Sequence, residues 1–446
     1  MDPSSPYDAW STAQYEQLIA ASETAKPITS QFRGAPDGIA QHVHHQLADL
    51  YPGLIALSHW IHAHPETAFE EHASAAALAQ YLDEQGFPTT IGVGSLATAL
   101  QAEHRVTGPN GEQGPVIACI AEYDALKHIG HACGHNVIAA TSAGAFVLAA
   151  RIASEHQIPG TYRLIGTPGE EGACGKEYLI RDGVFDDVDA AIMLHPYMAD
   201  VLEQPWLGNT MGTITFTGRA AHAAAAPFAG ANALDAAVAT YQGIAALRQH
   251  MLPSDRIHAV FTPDGGGGAV NIVPALAKLE LSVRSQEIDT MSILLHRVQA
   301  IAQGAAMMHG VDVTVQFDED HAYLPTRLNT TLGERYAVAM ADRGRRVLPR
   351  GVMPEHLAAS TDQGNVSMRV PAIHPTLAIA PLGTSLHTEA FRDVAITSAG
   401  DSGVADGAYA LAMVALDVAA DPELLAAVKA EFEASGGRID PPWLLK

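Results

Sequence analysis

Short apolar runs of strand character recur along the chain, and several end abruptly in polar clusters. Val116 to Ala121 leads into Glu122-Tyr123-Asp124 and then Gly130-His131-Ala132-Cys133-Gly134-His135-Asn136. Tyr162 to Ile165 leads into Gly166-Thr167-Pro168-Gly169-Glu170-Glu171-Gly172, Ala190 to Leu194 ends in His195-Pro196, and Thr376 to Ala380 runs through a glycine turn into His387-Thr388-Glu389. In open α/β sheets ligands bind outside the carboxyl ends of the strands, so four such endings point to one shared pocket.

From Asp37 to about Gln204 these strands alternate with predicted helices: one ending near His62, one from about His72 to Gln85, and one from about Val137 to Ser154. From about Leu207 the order changes to strand (Thr213 to Thr217), helix (Ala233 to Arg248), strand (Ile257 to Thr262), strand (Ala277 to Val283), helix (Met291 to Met308) and strand (Val311 to Phe317). That is the βαββαβ order of a ferredoxin-like unit. Because α/β features and His387 return after Pro325, the unit reads as an insertion, giving one domain of residues 1–206 plus 327–446 and a second of residues 207–326.

At 446 residues and 48% hydrophobic the chain can bury large cores, and two domains are the natural expectation. Val137 to Ala150 falls short of the ~20 residues a membrane span needs and reads as a buried helix. A formal net charge of −24 without a basic stripe argues against nucleic-acid binding. The N-terminus lacks the basic and apolar regions of a secretory signal, and the three cysteines, Cys119, Cys133 and Cys174, do not form a disulfide framework; both suit a cytoplasmic protein. Cys119 belongs to an apolar strand and to the core, whereas Cys133 stands in a Gly/His loop.

Cys133 and His135 can turn toward one point, and thiolate with imidazole suits zinc, with manganese, cobalt or nickel as alternatives. Alone, the pair reads equally well as a structural histidine and an inert buried cysteine; Glu171, His195 and His387 at further strand ends shift the balance to metal. Adjacent acids such as Glu170 and Glu171 are more often a surface pair, but here a tight Pro/Gly turn holds them, and from an extended turn they point different ways, one to metal and one to substrate water. Two cations ~3.5–4 Å apart polarise a carbonyl and acidify water while a free glutamate moves the proton, which is amide hydrolysis chemistry.

The chain resembles the aminoacylase/carboxypeptidase G family of metallo-amidohydrolases, in the branch of hippurate hydrolase, auxin-conjugate hydrolases, p-aminobenzoyl-glutamate hydrolase and β-alanyl-lysine type dipeptidases. The matching stretches are Ile61-His62-Ala63-His64-Pro65-Glu66, Glu122-Tyr123-Asp124-Ala125-Leu126, Gly130 to Asn136, Gly166 to Gly172, Gly218-Arg219-Ala220-Ala221-His222-Ala223, Asn271-Ile272-Val273-Pro274 and His387-Thr388. They span nearly everything after Asp37. The resemblance implies Cys133, His135, Glu171, His195 and His387 as metal ligands, Glu170 as general base and Asp124 as a supporting acid. Where the wider family has a His-x-Asp ligand motif this chain has Glu122-Tyr123-Asp124, and Lys127 stands where the subgroup usually has proline. A lone histidine at His222 would be structural; the resemblance makes it the residue that reaches a partner subunit's active site to stabilise an oxyanion. Asn271 and Arg284 become candidates to hold a substrate carboxylate or carbonyl, Arg284 reading equally as an exposed strand residue.

Two patterns are decoys. Gly169 to Lys176 imitates a phosphate-binding loop, but five residues separate Gly169 from Gly175 and Glu177 replaces the required Ser/Thr. His42, His44 and His45 on a helix lack carboxylate or thiolate support and read as a solvated face. The fold expected is α/β: a mixed-sheet di-metal catalytic domain with an inserted ferredoxin-like α+β lid and dimerisation domain. The protein expected is a homodimeric amidohydrolase with two divalent ions, zinc or manganese, cleaving an N-acyl amino acid or an aminoacyl-amino acid. The alternatives are a β-alanyl-lysine type dipeptidase with the same site and a non-catalytic metal- or ligand-binding relative.

Overall fold

Apolar residues return every three or four positions from Ile39 onward, at Val43, Leu47, Leu50, Leu54, Leu57 and Ile61. The computed structural model, which describes residues 6–263, 265, 268–352 and 359–440, makes them one buried helical face. In chain order the elements are α1 (Pro6–Thr24), α2 (Ile39–Ala63), α3 (His72–Glu84), β1 (Thr89–Val93), β2 (Leu96–Val106), β3 (Val116–Ala121), α4 (His135–His156), β4 (Gly160–Gly166), the short α5 (Glu170–Ala173) and α6 (Gly175–Arg181), β5 (Ala190–Ile192) and β6 (His195–Tyr197). Next come β7 (Gly208–Thr217), α7 (Ala233–Leu247), β8 (Arg256–Phe261), β9 (Leu276–Ser285), α8 (Ile288–His309) and β10 (Asp312–Phe317). After them stand α9 (Thr330–Asp342), α10 (Gln363–Ser367), β11 (Ala372–Ile373), β12 (Thr376–Ala378), α11 (Glu389–Val394), α12 (Ser398–Ala420) and α13 (Pro422–Ala434).

Two units divide the described residues. One gathers those of Met1–Gln204, Arg327–Ala358 and Asn365–Ile439; the other gathers those of Pro205–Thr326 and Ala359–Gly364, with Asp440. The stretch Ala359–Gly364, which sequence patterning assigns to the first domain, groups with the second because Leu207 N–H donates to Ala359 O at 2.8 Å and Arg284 Nη1 donates to Ser360 Oγ at 3.1 Å.

In the first unit the sheet order is β1-β2-β4-β3-β5-β11. β3 lies parallel to both β4 and β5, β5 is parallel to β11, and β2 is antiparallel to β1 and β4. β1 and β2 escape the apolar-run criterion because Glu103, His104 and Arg105 break the run. The run Ala190 to Leu194 is not one strand: β5 stops at Ile192, and His195 opens a two-stranded parallel sheet in which it faces Thr376. α4 and α12 are apolar enough to pass for membrane spans, but their apolar windows are 89% and 94% buried by the protein itself, the mark of core helices. They meet closely at Gly144, where a Cβ would stand 2.8 Å from both Ala408 Cβ and Leu54 Cδ1.

The second unit is a four-stranded antiparallel sheet, order β10-β7-β9-β8. Ile214 and Phe216 on β7 and Ala277, Leu279, Leu281 and Val283 on β9 share its core with Leu294 and Val298 of α8. Alternate residues of β7 and β9 are buried, the pattern of a sheet covered on one face.

Glu71, buried at the start of α3, ties the loop after β4 in place: Oε1 accepts the Gly169 N–H at 2.9 Å and Oε2 the Thr98 hydroxyl at 3.0 Å. Burial, and then the Asp124 carboxylate, push its pKa up from 4.5 to about 7. A carboxyl whose folded pKa is raised binds more protons folded than unfolded, so its contribution to stability is present below about 4.5 and is lost as pH rises to about 7. Glu71→Gln is therefore expected to flatten the decline in melting temperature between about pH 5 and pH 8, and a slope equal to wild type refutes this assignment. At the helix crossing, Gly144→Val overpacks a contact with no flexible neighbour on the Ala408 side; the expected loss is about 1–3 kcal/mol, read as a lower urea midpoint, and an unchanged midpoint counts against the packing described.

Candidate metal centre

The four polar strand endings all lie in the first unit. β3 stops at Ala121, and Glu122, Tyr123 and Asp124 continue as buried residues. Thr167 N–H donates to Ala121 O at 2.7 Å, so the segment leaving β4 runs beside the one leaving β3. Between Cys133 and His135 the chain turns at Gly134, with φ +81° and a would-be Cβ 3.1 Å from Pro196, so glycine is required there. His387 N–H donates to Ala132 O at 3.0 Å, which clips the last ending to the cysteine loop. His387 itself has φ +60°, a left-handed conformation costing a non-glycine residue on the order of 1 kcal/mol.

These turns bring the predicted ligands together. Cys133 Sγ lies 3.5 Å from His195 Nε2, and His387 Nε2 lies 3.5 Å from Glu171 Oε1. His135 Nε2 is 3.9 Å from both Glu171 Oε1 and Glu170 Oε2. Two donors about 2.0–2.3 Å from one tetrahedral ion stand roughly 3.3–3.8 Å apart, so the spacings suit shared coordination. In three overlapping triplets, Cys133–His135–His195, Cys133–Glu171–His387 and His135–Glu170–Glu171, the donor atoms lie within 4.8 Å of one another. Cys133, His135 and Glu171 each belong to two of the triplets, so the groups form one continuous cluster of donors.

The ring orientations agree. His135 Nδ1 sits 2.9 Å from Asp124 Oδ1, and His195 Nδ1 sits 2.7 Å from Pro196 O, so each Nδ1–H is spent on an oxygen and each Nε2 turns its lone pair inward. Asp124 Oδ2 also accepts the Glu171 N–H at 2.8 Å. Glu122 Oε2, His135 Nε2 and Glu171 Oε1 are buried with no hydrogen-bond partner among the described residues. Each orphaned polar atom costs about 1–3 kcal/mol, a penalty a cation removes, so the residues present fit a metal ion.

The electrostatics differ from donor to donor. Burial, and then the neighbouring His135, hold His195 down to about 4, keeping it a neutral ligand. Burial opposes charge on His135 too, but the Asp124 carboxylate overrides it and raises this imidazole. Burial and the Glu171 carboxylate push the Cys133 thiol well above its ordinary value, so the thiolate needs a cation beside it.

One expectation is corrected. Glu170 and Glu171 do not point apart, since both approach His135 Nε2 at 3.9 Å; Glu170 opens the short α5, and the backbone leaves helical geometry at once, at Glu171 (ψ 83°) and Gly172 (φ 83°). What separates them is His387, which faces Glu171. His222, Asn271 and Arg284 belong to the second unit. The His222 segment is fastened to Asn271, whose backbone O accepts the Ala223 N–H at 2.9 Å, and Arg284 is half-buried on β9. Of the decoys, His42 joins Glu155 and His156 in an exposed group, and His44 packs on Tyr409. His62 Nε2 meets Arg392 O at 2.9 Å, His64 stacks on Trp60, and Cys174 packs fully buried between α5 and α6.

Three residues of the pocket went unassigned from sequence. Glu122 is wholly buried, with Oε1 bound by the equally buried Lys176 and Oε2 3.5 Å from His135 Nε2. His374 is buried with its ring 5.6 Å from that of His195. For Lys176, which falls inside the false phosphate-loop pattern, no sequence signal exists; for Glu122, a carboxylate directly after a buried strand was the available one.

Comparison with known proteins agrees with the geometry. Residues 207–307 match the M20 peptidase dimerisation domain. The chain is 35% identical to Xaa-Arg dipeptidase of Mus musculus over 390 residues, covering 85% of this chain and 89% of that protein. It is 31% identical to one of the p-aminobenzoyl-glutamate hydrolase chains of Escherichia coli, covering 83% of this chain and 90% of that one. A dinuclear metal binding M20 peptidase from Bacillus subtilis superposes with a TM-score of 0.63 at 21% identity, covering 82% of this chain and 98% of that one. With that identity over that span, and with the dimerisation domain in its insert, the chain belongs to the M20 family of metallopeptidases and amidohydrolases.

Proposed function

We propose that the protein is a metal-dependent amidohydrolase that releases an amino acid from an N-acyl or aminoacyl conjugate. The observation that carries this reading is the convergence of Cys133, His135, Glu171, His195 and His387 around orphaned, buried donor atoms, with the Glu170 carboxylate beside them. Two divalent ions held there supply Lewis acidity, polarising a carbonyl and lowering the pKa of water toward ~7. Sulfur at Cys133 favours zinc, and the carboxylates also admit manganese.

The chain's own residues do the rest. Glu170 takes the proton from water and delivers it to the departing nitrogen. Asp124 fixes the His135 ring and the Glu171 backbone together. On the second unit, His222 Nδ1 accepts the Ala225 N–H at 3.1 Å and the Ala224 N–H at 3.3 Å, so the proton is on Nε2 and an N–H donor faces outward. In a dimer formed through the insert, that donor serves the partner subunit's carbonyl oxygen. Asn271 and Arg284 hold the substrate's carboxylate. A dipeptidase reading is favoured by the 35% identity to Xaa-Arg dipeptidase. A binding-only relative has no use for a carboxylate at Glu170.

Glu170→Gln is expected to retain its metal and lose about 10²–10⁴-fold in kcat; unchanged turnover removes Glu170 from the reaction. Comparing kcat/KM for acetyl- and benzoyl-amino acids, p-aminobenzoyl-glutamate, β-alanyl dipeptides and Xaa-Arg dipeptides, each with zinc- and manganese-loaded protein, selects the acyl class, and silence toward all of them refutes the amidohydrolase reading. Mixing inactive His222→Ala and Glu170→Gln protomers is expected to restore part of the activity, because a hybrid dimer rebuilds one complete site; no recovery places His222 outside its partner's reaction.

A further inference from the structure

Resting on the metal centre just proposed, we infer that Glu122 is an additional ligand, coordinating through Oε2 the cation held by His135, and that Lys176 is the positioning residue that fixes it.

Glu122 leaves the end of β3 with its side chain wholly buried. Its two oxygens have different surroundings. Oε1 is bound by Lys176 Nζ, also without solvent exposure, and a buried ammonium and carboxylate are tolerable only when each has such a partner. Oε2 has no hydrogen-bond donor and stands 3.5 Å from His135 Nε2, which has none either. His135 already points its Nδ1 at Asp124, so Nε2 presents a lone pair toward a carboxylate oxygen. With His135 in the neutral form a metal ligand takes, two electron-rich atoms face each other in a dry pocket, and a cation between them removes their repulsion. A proton on Nε2 could neutralise the pair, yet no hydrogen bond closes the 3.5 Å gap, and the separation is the one two donors adopt on a single ion. Glu122 Oε2 is closer to His135 Nε2 than either Glu171 Oε1 or Glu170 Oε2, both at 3.9 Å. By occupying Oε1, Lys176 keeps the carboxylate a one-oxygen donor with its free oxygen turned to the imidazole.

The test strips the full-length protein with a chelator and titrates zinc by calorimetry with a competing chelator, then records the visible spectrum of the cobalt form. Wild type is expected to take two equivalents. Glu122→Gln is expected to weaken one of them at least about tenfold and leave the other unchanged, with cobalt bands altered by loss of an oxygen donor. Two equivalents at wild-type affinity with an unaltered cobalt spectrum overturn the inference while leaving the metal centre intact; a wild type that binds no metal overturns both. If Glu122→Gln does not melt cooperatively, the double variant Glu122→Gln/Lys176→Met, which removes both buried charges together, carries the same two outcomes. Lys176→Met alone is expected to lower the melting temperature of the stripped protein and to regain more on adding zinc than wild type does, because the carboxylate left without its ammonium then has only the cation. Wild-type melting in both states removes Lys176 from the role.

Discussion

The structure depends on a set of buried polar atoms that find no hydrogen-bond partner among the described residues. Glu122 Oε2, His135 Nε2 and Glu171 Oε1 are out of water and without donors, and Cys133 stands among them as a thiol that burial resists ionising. Folding alone cannot make such a cluster favourable, since orphaned polar atoms are a net cost in a low-dielectric interior. The cluster is held anyway because the surrounding core is rigid. α4 emerges from the cysteine loop and packs on α2 and α12 with almost every residue buried, so the position of His135 in its first turn is set by the whole helix.

Asp124 couples the separate strand endings. One oxygen sets which nitrogen of His135 faces inward, and the other holds the backbone of Glu171, so a single carboxylate after β3 orients a ligand from the α4 turn and a ligand from the β4 turn. Glu71 acts one layer further out, on Gly169. An error of about half an ångström in such a chain of contacts would separate donor atoms that must share an ion, which explains why the supporting acids are buried as completely as the ligands themselves.

Much of this was legible in the sequence because each ligand follows a buried strand, and a continuous apolar run that stops at a Gly, Pro or charged cluster is a strong local signal. β3, α4 and the βαββαβ order of the insert were readable on that basis. β1 and β2 were not, since β1 is a short run of TTIGV and β2 is interrupted by Glu103, His104 and Arg105, and the break of the run Ala190 to Leu194 into two sheets depends on pairing with β11 and β12, distant in sequence. The direction of Glu170 and Glu171 is not legible for a related reason: side-chain direction follows backbone torsions, and residue types alone do not reveal the kink at Glu171 and Gly172. Lys176 was invisible because a buried lysine is identifiable only through its partner, and Glu122 lies 54 residues away.

The second unit poses a different constraint. His222 sits on an exposed loop where two backbone N–H groups from Ala224 and Ala225 fix its tautomer, so it offers an N–H donor in its neutral form and needs no extra proton to act on a developing oxyanion. Water would satisfy that donor and blunt it, because a hydrogen bond gains strength only in a low-dielectric setting. The same unit carries Phe228 at 87% and Val270 at 102% exposure, with Ile272 directly bridged to His222. Large apolar side chains that open to solvent beside a fixed polar donor are costly as a free surface and sensible as one that becomes covered. The preset tautomer and the uncovered apolar rim therefore meet one requirement of the proposed role: the donor is prepared in the lone chain, and the dry environment it needs would come from a partner covering this surface.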